Sequence, residues 1–547
     1  MKSVIQIVHD AVSGEFPDIQ TIHLTRPEAK FGDFTTNVAL QLAGSLGKNP
    51  REVAGNIAEK LRDTNTFAEV NIAGPGFINM RLQNEVLLKT ITLSSVKGRE
   101  GETVVIETNN PNPFKAMHIG HAFNAILADT IANLIEDAGA HTYRVSYHGD
   151  VGLHVGKSMY ALLKYVDGEV SKLNAIPTSE HNSFMSRMYA EGARAYNDDE
   201  SAKKEIEELA KQSFTREDPL YASVYDTCKQ WSFDQIDEIV SSLGNKPIER
   251  RFLESDADTR GVPIVKKNVP RVFEESDGAL IFRGSKYGSF DNAYVASNGL
   301  GLYGARDLGL MQLKNEYYHP DKSYIVTAEE QRDYFKGVIA AAGLCMPDLK
   351  NVTVNISTGT VKLTTGKMSS RDGDVIEISW LFEKVREAIK ARGGEPTNEI
   401  VAGALRYQFL KVKIGSDVIF DINEAVSLQG NTGSYLQYAY ARANTILQKS
   451  SLTPSEVENI QMNDSERLLV RKLSEYNDIV NLSLKELLPH HLCTYLYELA
   501  QEFNRFYEKN KVIGSETEAD RLALVGCYAQ TLRQGLSLLG IKAPEKM

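Results

Sequence analysis

The spacing of apolar residues changes character several times along the chain, and each change predicts a different layer of structure. Thr103-Val-Val-Ile106 is a continuous β-branched run that reads as a buried strand. Phe123, Leu127, Ile131 and Leu134 then recur at helical spacing. Between them, Glu107-Thr-Asn-Asn-Pro-Asn-Pro-Phe-Lys-Ala-Met-His-Ile-Gly-His121 is a Pro- and Gly-punctuated loop that sets His118 and His121 in the first turn of the helix. Arg144 to Gly156 adds a second strand and a turn whose glycines, Gly149, Gly152 and Gly156, lack the dinucleotide-fingerprint spacing. From about 165 to 250 the chain is charged and helix-prone, as in Lys203-Lys-Glu-Ile-Glu-Glu-Leu-Ala-Lys-Gln212, which predicts a helical insertion with a solvated face. Strand-like runs return at Ala279-Leu-Ile-Phe282 and Tyr324-Ile-Val-Thr327, as the second half of the sheet. Between these, Gly301-Leu-Tyr-Gly-Ala-Arg-Asp307 opens a helix through Leu310 and Leu313, with Tyr303 and Asp307 on one face.

The two ends differ from this middle. Val38, Leu40, Leu42 and Ala43 begin a helical pattern that runs past Pro50 to Leu61, and Val70 to Leu82 reads as two short strands around Gly-Pro-Gly. After about 390 the chain reads as nearly all helix: Leu405, Phe409 and Val412 form an apolar stripe, and Leu436, Ala439, Ala443 and Leu447 form another. The expected organisation is a small α+β domain over 1–100, an α/β parallel-sheet domain over 101–390 with the insertion inside it, and an all-α domain over 391–547. A length of 547 residues agrees with this, since the length prior is roughly three to four domains.

Composition narrows the class only slightly. A net charge of -11 argues against a general nucleic-acid binder, but a local basic surface is still open to the fold. Cys228, Cys345, Cys493 and Cys527 form no CxxC pair, so neither a structural zinc site nor a disulfide framework is expected. No signal peptide and no run of about 18 apolar residues is present, and the expected location is cytoplasmic.

The candidate chemistry concerns phosphates and bases. In an open α/β sheet the ligand crevice lies outside the strand carboxyl ends, where a helix N-terminus offers free N–H groups to phosphate. His118 and His121 on one face of that turn suit hydrogen bonds to phosphoryl oxygens, and Gly120 leaves room for a flat base. Leu363-Thr-Thr-Gly-Lys-Met-Ser-Ser-Arg371-Asp-Gly places hydroxyls and cations between Gly366 and Gly373, which suits a triphosphate. Phe34 with Asn37, and Phe77 with Asn79, pair an aromatic with an amide, as stacking on an unstacked base requires. Tyr435, Tyr438 and Arg442 share a second helix face suited to single-stranded bases.

These segments resemble one family. His118-Ile119-Gly120-His121 is similar to the HIGH signature of class I aminoacyl-tRNA synthetases. Lys367-Met-Ser-Ser-Arg371 resembles their KMSKS signature, in the expected order. Within that class the resemblance is to the arginyl enzymes, in the Gly-Pro-Gly-Phe77 segment, in Gln429 to Arg442, in Phe503-Asn-Arg-Phe-Tyr507 and in Leu538 to Met547. The resemblance implies a Rossmann-like catalytic domain, an N-terminal domain touching the tRNA elbow and a helical anticodon-binding domain. It implies ATP-dependent ligation of arginine to tRNA-Arg through arginyl-adenylate, releasing AMP and pyrophosphate, with Mg²⁺ arriving on the nucleotide and no tightly bound metal. It also implies a monomer that activates arginine only with tRNA present. By the same resemblance, catalysis falls to His118, His121, Lys115, Lys367 and Arg371, and ATP binding to Gly120, Met368, Ser369 and Ser370. Arginine binding falls to Glu107, Asn112, Tyr303, Asp307 and Gln331, and tRNA contact to Phe77, Asn79, Tyr435, Tyr438, Arg442, Tyr507 and Met547. A guanidinium needs planar acceptors in a dry pocket, which Glu107 and Asp307 would supply. Two departures stand out. Ser370 replaces the second lysine of KMSKS, with Lys115 as its stand-in, and Arg332-Asp333-Tyr334 comes after Gln331, where a histidine is common. Another class I synthetase, a pantothenate-synthetase-like enzyme and a non-catalytic tRNA-binding paralogue are the competing readings.

Overall fold

The computed structural model describes residues 3–547 apart from Glu15, Asp18, Gln20, 92–96, 365–375 and 458–459. Its centre is a five-stranded, all-parallel sheet in the spatial order Thr353–Thr358, Lys322–Ala328, Thr103–Asn109, His141–His148, Arg250–Leu253. The direction of winding reverses between Thr103–Asn109 and Lys322–Ala328, which puts a ligand crevice outside their carboxyl ends. Val104, Val105 and Ile106 are buried, as the apolar run requires. The helix Ile119–Asp137 is buried almost all round and crosses behind this switch point. Lys203 to Gln212 lies in one of four long helices, Leu153–Val166, His181–Asp198, Glu200–Thr215 and Pro219–Ser242, which share a core of Val155, Met159, Phe184, Ile206 and Tyr225.

Three expectations need correction. Ala279–Phe282 is not in the parallel sheet; it is the middle strand of a separate antiparallel sheet with Phe273–Ser276 and Asn292–Val295. The turn Asp277–Gly278 closes it locally, and both residues have positive φ, so a hairpin forms instead of a crossover. The helical pattern from Val38 to Leu61 is two helices, Val38–Leu46 and Pro50–Arg62. Gly47 is left-handed and Asn49 caps the second helix ahead of Pro50, so the break is in the sequence at those residues. Leu405 and Phe409 do not form a stripe: the helix Asn398–Leu410 is buried on every side from Ile400 onward, and Val412 lies beyond its end.

The chain forms two compact units. One comprises 1–94, 442–479 and 495–532. Within it, the buried Asp33 carboxylate accepts from Arg467 at 2.7 Å and from the Leu82 N–H at 2.7 Å, and Arg26 pairs with Asp478 at 3.0 Å. The N-terminal antiparallel sheet and the helix Asp464–Leu473 therefore belong to one body.

The other unit comprises 95–441, 480–494 and 533–547. Its interior holds one fully buried guanidinium. Arg406 donates to Asp129 Oδ2 (2.8 Å), Thr130 Oγ1 (3.1 Å), Asn245 Oδ1 (2.6 Å) and the carbonyls of Leu243 (3.1 Å) and Leu539 (2.8 Å). Gly540 has φ 70°, and a Cβ there would lie 2.2 Å from the guanidinium, so glycine is required at this approach. Asp129 also pairs with the buried Arg144 at 3.3 Å. Removing one member of a buried pair leaves the other uncompensated. Arg406→Leu is expected to destabilise this unit by about 3 kcal/mol, read as a lower urea midpoint in equilibrium unfolding; a change under about 0.5 kcal/mol would show that the guanidinium carries little of its stability.

Candidate active site

The site begins with a helix cap. The imidazole of His118 caps Ile119–Asp137: its Nδ1 accepts the backbone N–H of Gly120 at 3.2 Å and of His121 at 3.4 Å. The His118 backbone N–H in turn donates to Nδ1 of His121 at 3.4 Å. An imidazole nitrogen that accepts a hydrogen bond carries no proton, so both rings hold their proton on Nε2. The rings stack with centroids 3.6 Å apart. Burial first, and the charge of Lys115 second, bring the His118 pKa down to about 4. Burial, then the charges of His118, Lys115 and His148, hold His121 well below its ordinary value. At neutral pH the pair is therefore two uncharged Nε2–H donors. Gly120 has a second reason to be glycine: a Cβ there would lie 3.1 Å from the His118 ring, so the space expected for a base is bounded by the capping imidazole.

The loop before the cap is fastened by residues that no motif or spacing singles out. Phe114 is buried at φ 65°, its N–H donates to Ser232 Oγ (3.0 Å) and its carbonyl accepts from Ser158 Oγ (2.9 Å). Its ring packs on Tyr225, 5.3 Å between centroids. The insertion helices thus hold the backbone that presents the exposed Lys115 beside the two histidines. Asn112 accepts the Gly149 N–H through Oδ1 at 3.0 Å, and a Cβ on Gly149 would lie 3.0 Å from both Asn112 and Glu254. His148, pushed down to about 3 by burial, joins the Pro111 carbonyl to the Ser146 hydroxyl and keeps this strand end next to the loop.

The acidic pocket differs from its expected form. Glu107 is already neutralised: Lys314 Nζ lies 2.5 Å from Oε1, and Asn110 Nδ2 donates to Oε2 at 2.6 Å. Both side chains of the ion pair are 1% exposed. A buried carboxylate with a donor already on each oxygen braces the pocket and has less acceptor capacity left for a ligand. The signal for Lys314 was present in the sequence: it is seven residues after Asp307, on the face of Tyr303–Tyr318 that carries Leu310. Among the described residues Asp307 has no ion-pair partner, and its carboxylate accepts from the Tyr334 hydroxyl at 2.5 Å. Desolvation pushes Asp307 up to about 7 against that hydrogen bond, with Glu107 and Glu254 adding to the rise. The departure at Tyr334 is thereby accounted for in contact terms. Arg306 fixes the start of the helix through Glu254 (2.9 Å), Asp258 (3.3 Å) and the Gly301 carbonyl (3.0 Å). The helix Glu254–Lys267 lies so close that a Cβ on Gly309 would fall 1.9 Å from the Ala257 carbonyl oxygen. Tyr303, at the first position of its helix, is 68% exposed, and Gln331 is exposed at the turn after Lys322–Ala328.

Lys367, Met368, Ser369, Ser370 and Arg371 lie outside the described residues. Their flanks are described. Val361–Leu363 pairs in parallel with Val418–Phe420, the Ile119 N–H donates to the Ile376 carbonyl (2.9 Å), and the Ile378 N–H donates to Met117 (3.0 Å). The chain leaving the second motif is thus hydrogen-bonded to the backbone of the first. Among the described residues no group of three His, Cys, Asp or Glu is placed to hold a metal, and no helix is long and apolar enough to cross a membrane.

The base-stacking candidates separate. Phe77 is exposed, and Asn79 shares its sheet face, opposite buried Ile78, Met80 and Leu82. Phe34 is corrected: it is buried, with the Arg26 guanidinium 3.9 Å from its ring centroid, because its strand turns it inward. Asn37 is half-buried and accepts from Gln41. In the first unit, the Arg442 guanidinium lies 4.6 Å from the Tyr507 ring centroid. In the second, Tyr438 and Met547 line a cavity of about 860 Å³ with Leu428, Gln429 and Lys542, and Tyr435 is half-buried one turn before Tyr438.

A parallel sheet with a switch point, a histidine-capped helix beside it and the chain after the second motif hydrogen-bonded to the start of that helix fit a class I aminoacyl-tRNA synthetase. The family comparisons agree over most of the chain. Residues 2–82 match the arginyl-tRNA synthetase N-terminal domain, 82–420 the catalytic domain of class I (R) tRNA synthetases, and 436–547 the DALR anticodon-binding domain. The chain is 30% identical to the arginine–tRNA ligase of Thermobifida fusca over 559 residues, covering 95% of this chain and 94% of that one. It is 29% identical to the arginine–tRNA ligase of Pasteurella multocida, covering 97% and 99%. In fold it is similar to the arginyl-tRNA synthetase of Thermus thermophilus, with a TM-score of 0.82 at 24% identity over 100% of both chains. The chain belongs to the arginyl-tRNA synthetase family.

The cap makes a direct prediction. With ¹⁵N-labelled histidine, His118 and His121 are expected to show a protonated Nε2 and a bare Nδ1, unchanged from about pH 5.5 to 8. An inflection near pH 6 to 7 in either ring would contradict the capping assignment.

Proposed function

We propose that this chain ligates arginine to its tRNA in two steps at the switch-point crevice. The carboxylate oxygen of arginine attacks the α-phosphorus of ATP, forming arginyl-adenylate, and pyrophosphate leaves. The 2′-hydroxyl of the terminal tRNA adenosine then attacks the acyl carbon, and AMP leaves. The observation that carries this reading is the neutral, stacked His118–His121 pair on a helix N-terminus, with both Nε2–H groups free of the cap. Such a pair holds phosphoryl oxygens without changing charge, so the first step needs positioning and charge stabilisation and no side-chain proton transfer. Lys115 supplies positive charge from the loop, with Lys367 and Arg371 from the second motif and Mg²⁺ as part of the nucleotide substrate. Gly120, Met368, Ser369 and Ser370 border the nucleotide.

Arginine enters with its guanidinium toward Asp307. Glu107, held by Lys314, contributes the field of a braced acid pair. Asn112 and Gln331 face the α-amino and carboxylate end, and Tyr303 covers the stem. For tRNA, Phe77 and Asn79 offer an elbow contact, and Tyr435, Tyr438, Arg442, Tyr507 and Met547 an anticodon contact. The three regions, 1–100, 101–390 and 391–547, then serve elbow, catalysis and anticodon. The enzyme acts as a cytoplasmic monomer.

The test is amino-acid-dependent ATP–pyrophosphate exchange across all twenty amino acids, with and without tRNA. Exchange with arginine alone, appearing only with tRNA, is expected; exchange with another amino acid would overturn the assignment of Asp307. In the same assay Lys115→Ala is expected to slow activation ten-fold or more, ~1.4 kcal/mol, and an unchanged rate would remove Lys115 from catalysis.

The pocket also sets a pH dependence. A cationic guanidinium binds the ionised form of Asp307, whose pKa in the free protein is about 7. Below that pH, binding must first release a proton, so the KM for arginine is expected to rise up to about ten-fold per pH unit as pH falls from 7 to 5.5, and to level off above 8. A flat profile would show that Asp307 is already ionised in the free protein.

A further inference from the structure

Among the described residues several buried polar atoms lack a partner, and one of them is close enough to Asp307 to feel its charge. The Tyr147 hydroxyl is buried and makes no hydrogen bond among the described residues. Tyr147 stands at the carboxyl end of His141–His148, its N–H held by Asn110 Oδ1 at 2.9 Å. Its ring packs against the cluster of Val105, Val145, Phe252 and Leu310. Strand alternation puts it on the same sheet face as Glu107 and Val145, under the helix that carries Asp307 one turn before Leu310. The carboxylates of Asp307 and Glu254 and the guanidinium of Arg306 all act on this hydroxyl, and burial raises its pKa well above the ordinary range, so it stays protonated.

A buried hydroxyl without a partner is costly, and a phenylalanine would fill the same space without that cost. The oxygen therefore points to a ligand. We propose that Tyr147 is a specificity-determining residue for the amino-acid side chain: its oxygen accepts an N–H from the substrate guanidinium at Asp307, while Tyr334 occupies the other side of that carboxylate. This rests on the placement of arginine at Asp307. A guanidinium has donors only, so each nitrogen needs an acceptor. With Glu107 engaged by Lys314 and Asp307 shared with Tyr334, the pocket is short of acceptors, and the Tyr147 oxygen supplies one.

The experiment is steady-state aminoacylation by the full chain carrying Tyr147→Phe, with its thermal midpoint measured alongside. The expected result is a KM for arginine raised about ten-fold, with kcat and the KM values for ATP and tRNA within about two-fold. The midpoint is expected to be unchanged or higher, because an unpaired buried oxygen has been removed. An unchanged KM for arginine overturns the proposal. So does a lower midpoint with all constants impaired together, which would mark a structural tyrosine. Asp307→Asn run in parallel separates the two readings. If it raises the KM for arginine and Tyr147→Phe does not, only the role of Tyr147 falls; if it leaves that KM unchanged, the placement of arginine falls too.

Discussion

The catalytic unit depends on keeping one buried positive charge fully satisfied. Arg406 is 0% exposed, and its partners come from the histidine-capped helix, from the chain leaving the insertion and from the C-terminal tail. An unpaired guanidinium in that interior would cost several kcal/mol, so these three segments must arrive together or not at all. Asp129 extends the constraint, since it also meets Arg144, and Arg144 reaches Asn133 at 2.8 Å and Glu136 at 2.9 Å. A chain of alternating charges thus runs along the back of the helix whose front end holds His118 and His121. The site inherits its rigidity from that helix.

The same logic, applied at the sheet's carboxyl ends, shapes recognition. Glu107 stands close enough to raise the Asp307 pKa, and among the described residues only Glu107 of the two is ion-paired. Lys314 closes on Glu107, and Asp307 is left with a tyrosine hydrogen bond and no ion-pair partner among the described residues. A low-dielectric pocket containing an uncompensated acid attracts a cation and is driven toward protonation without one. The raised pKa of Asp307 and the proposed guanidinium site are two consequences of that single imbalance. The histidine pair is the opposite case. Burial and Lys115 suppress the charge on both rings, His118 adds to the effect on His121, and what remains is directional hydrogen bonding.

Much of this was legible in the sequence because it is local. The β-branched run, the period of the helices and the order of the two motifs depend on neighbours a few residues apart. The caps are local as well, but apolar periodicity does not mark them: it sets His118 inside the first turn, whereas His118 is the N-cap, and carries the first pattern past the break at Gly47 to Asn49. The misreadings share another cause. Ala279-Leu-Ile-Phe282 has the composition of a strand, but no periodicity says which sheet it joins. Phe34 and Phe77 have similar surroundings in sequence, and one is buried while the other is exposed, because register alone decides which face a strand residue occupies.

Local order along the chain therefore carries the set of elements, the two nucleotide motifs, the family and the acids and bases available to the pocket. How those charges are divided is settled by contacts between segments far apart in the chain. Glu107 and Lys314 are 207 residues apart, and Asp129 and Arg406 are 277. Whether a carboxylate is spent on an internal cation or left for a substrate depends on which side chains the fold brings within about 3 Å of it, and chain separation carries no information about that distance.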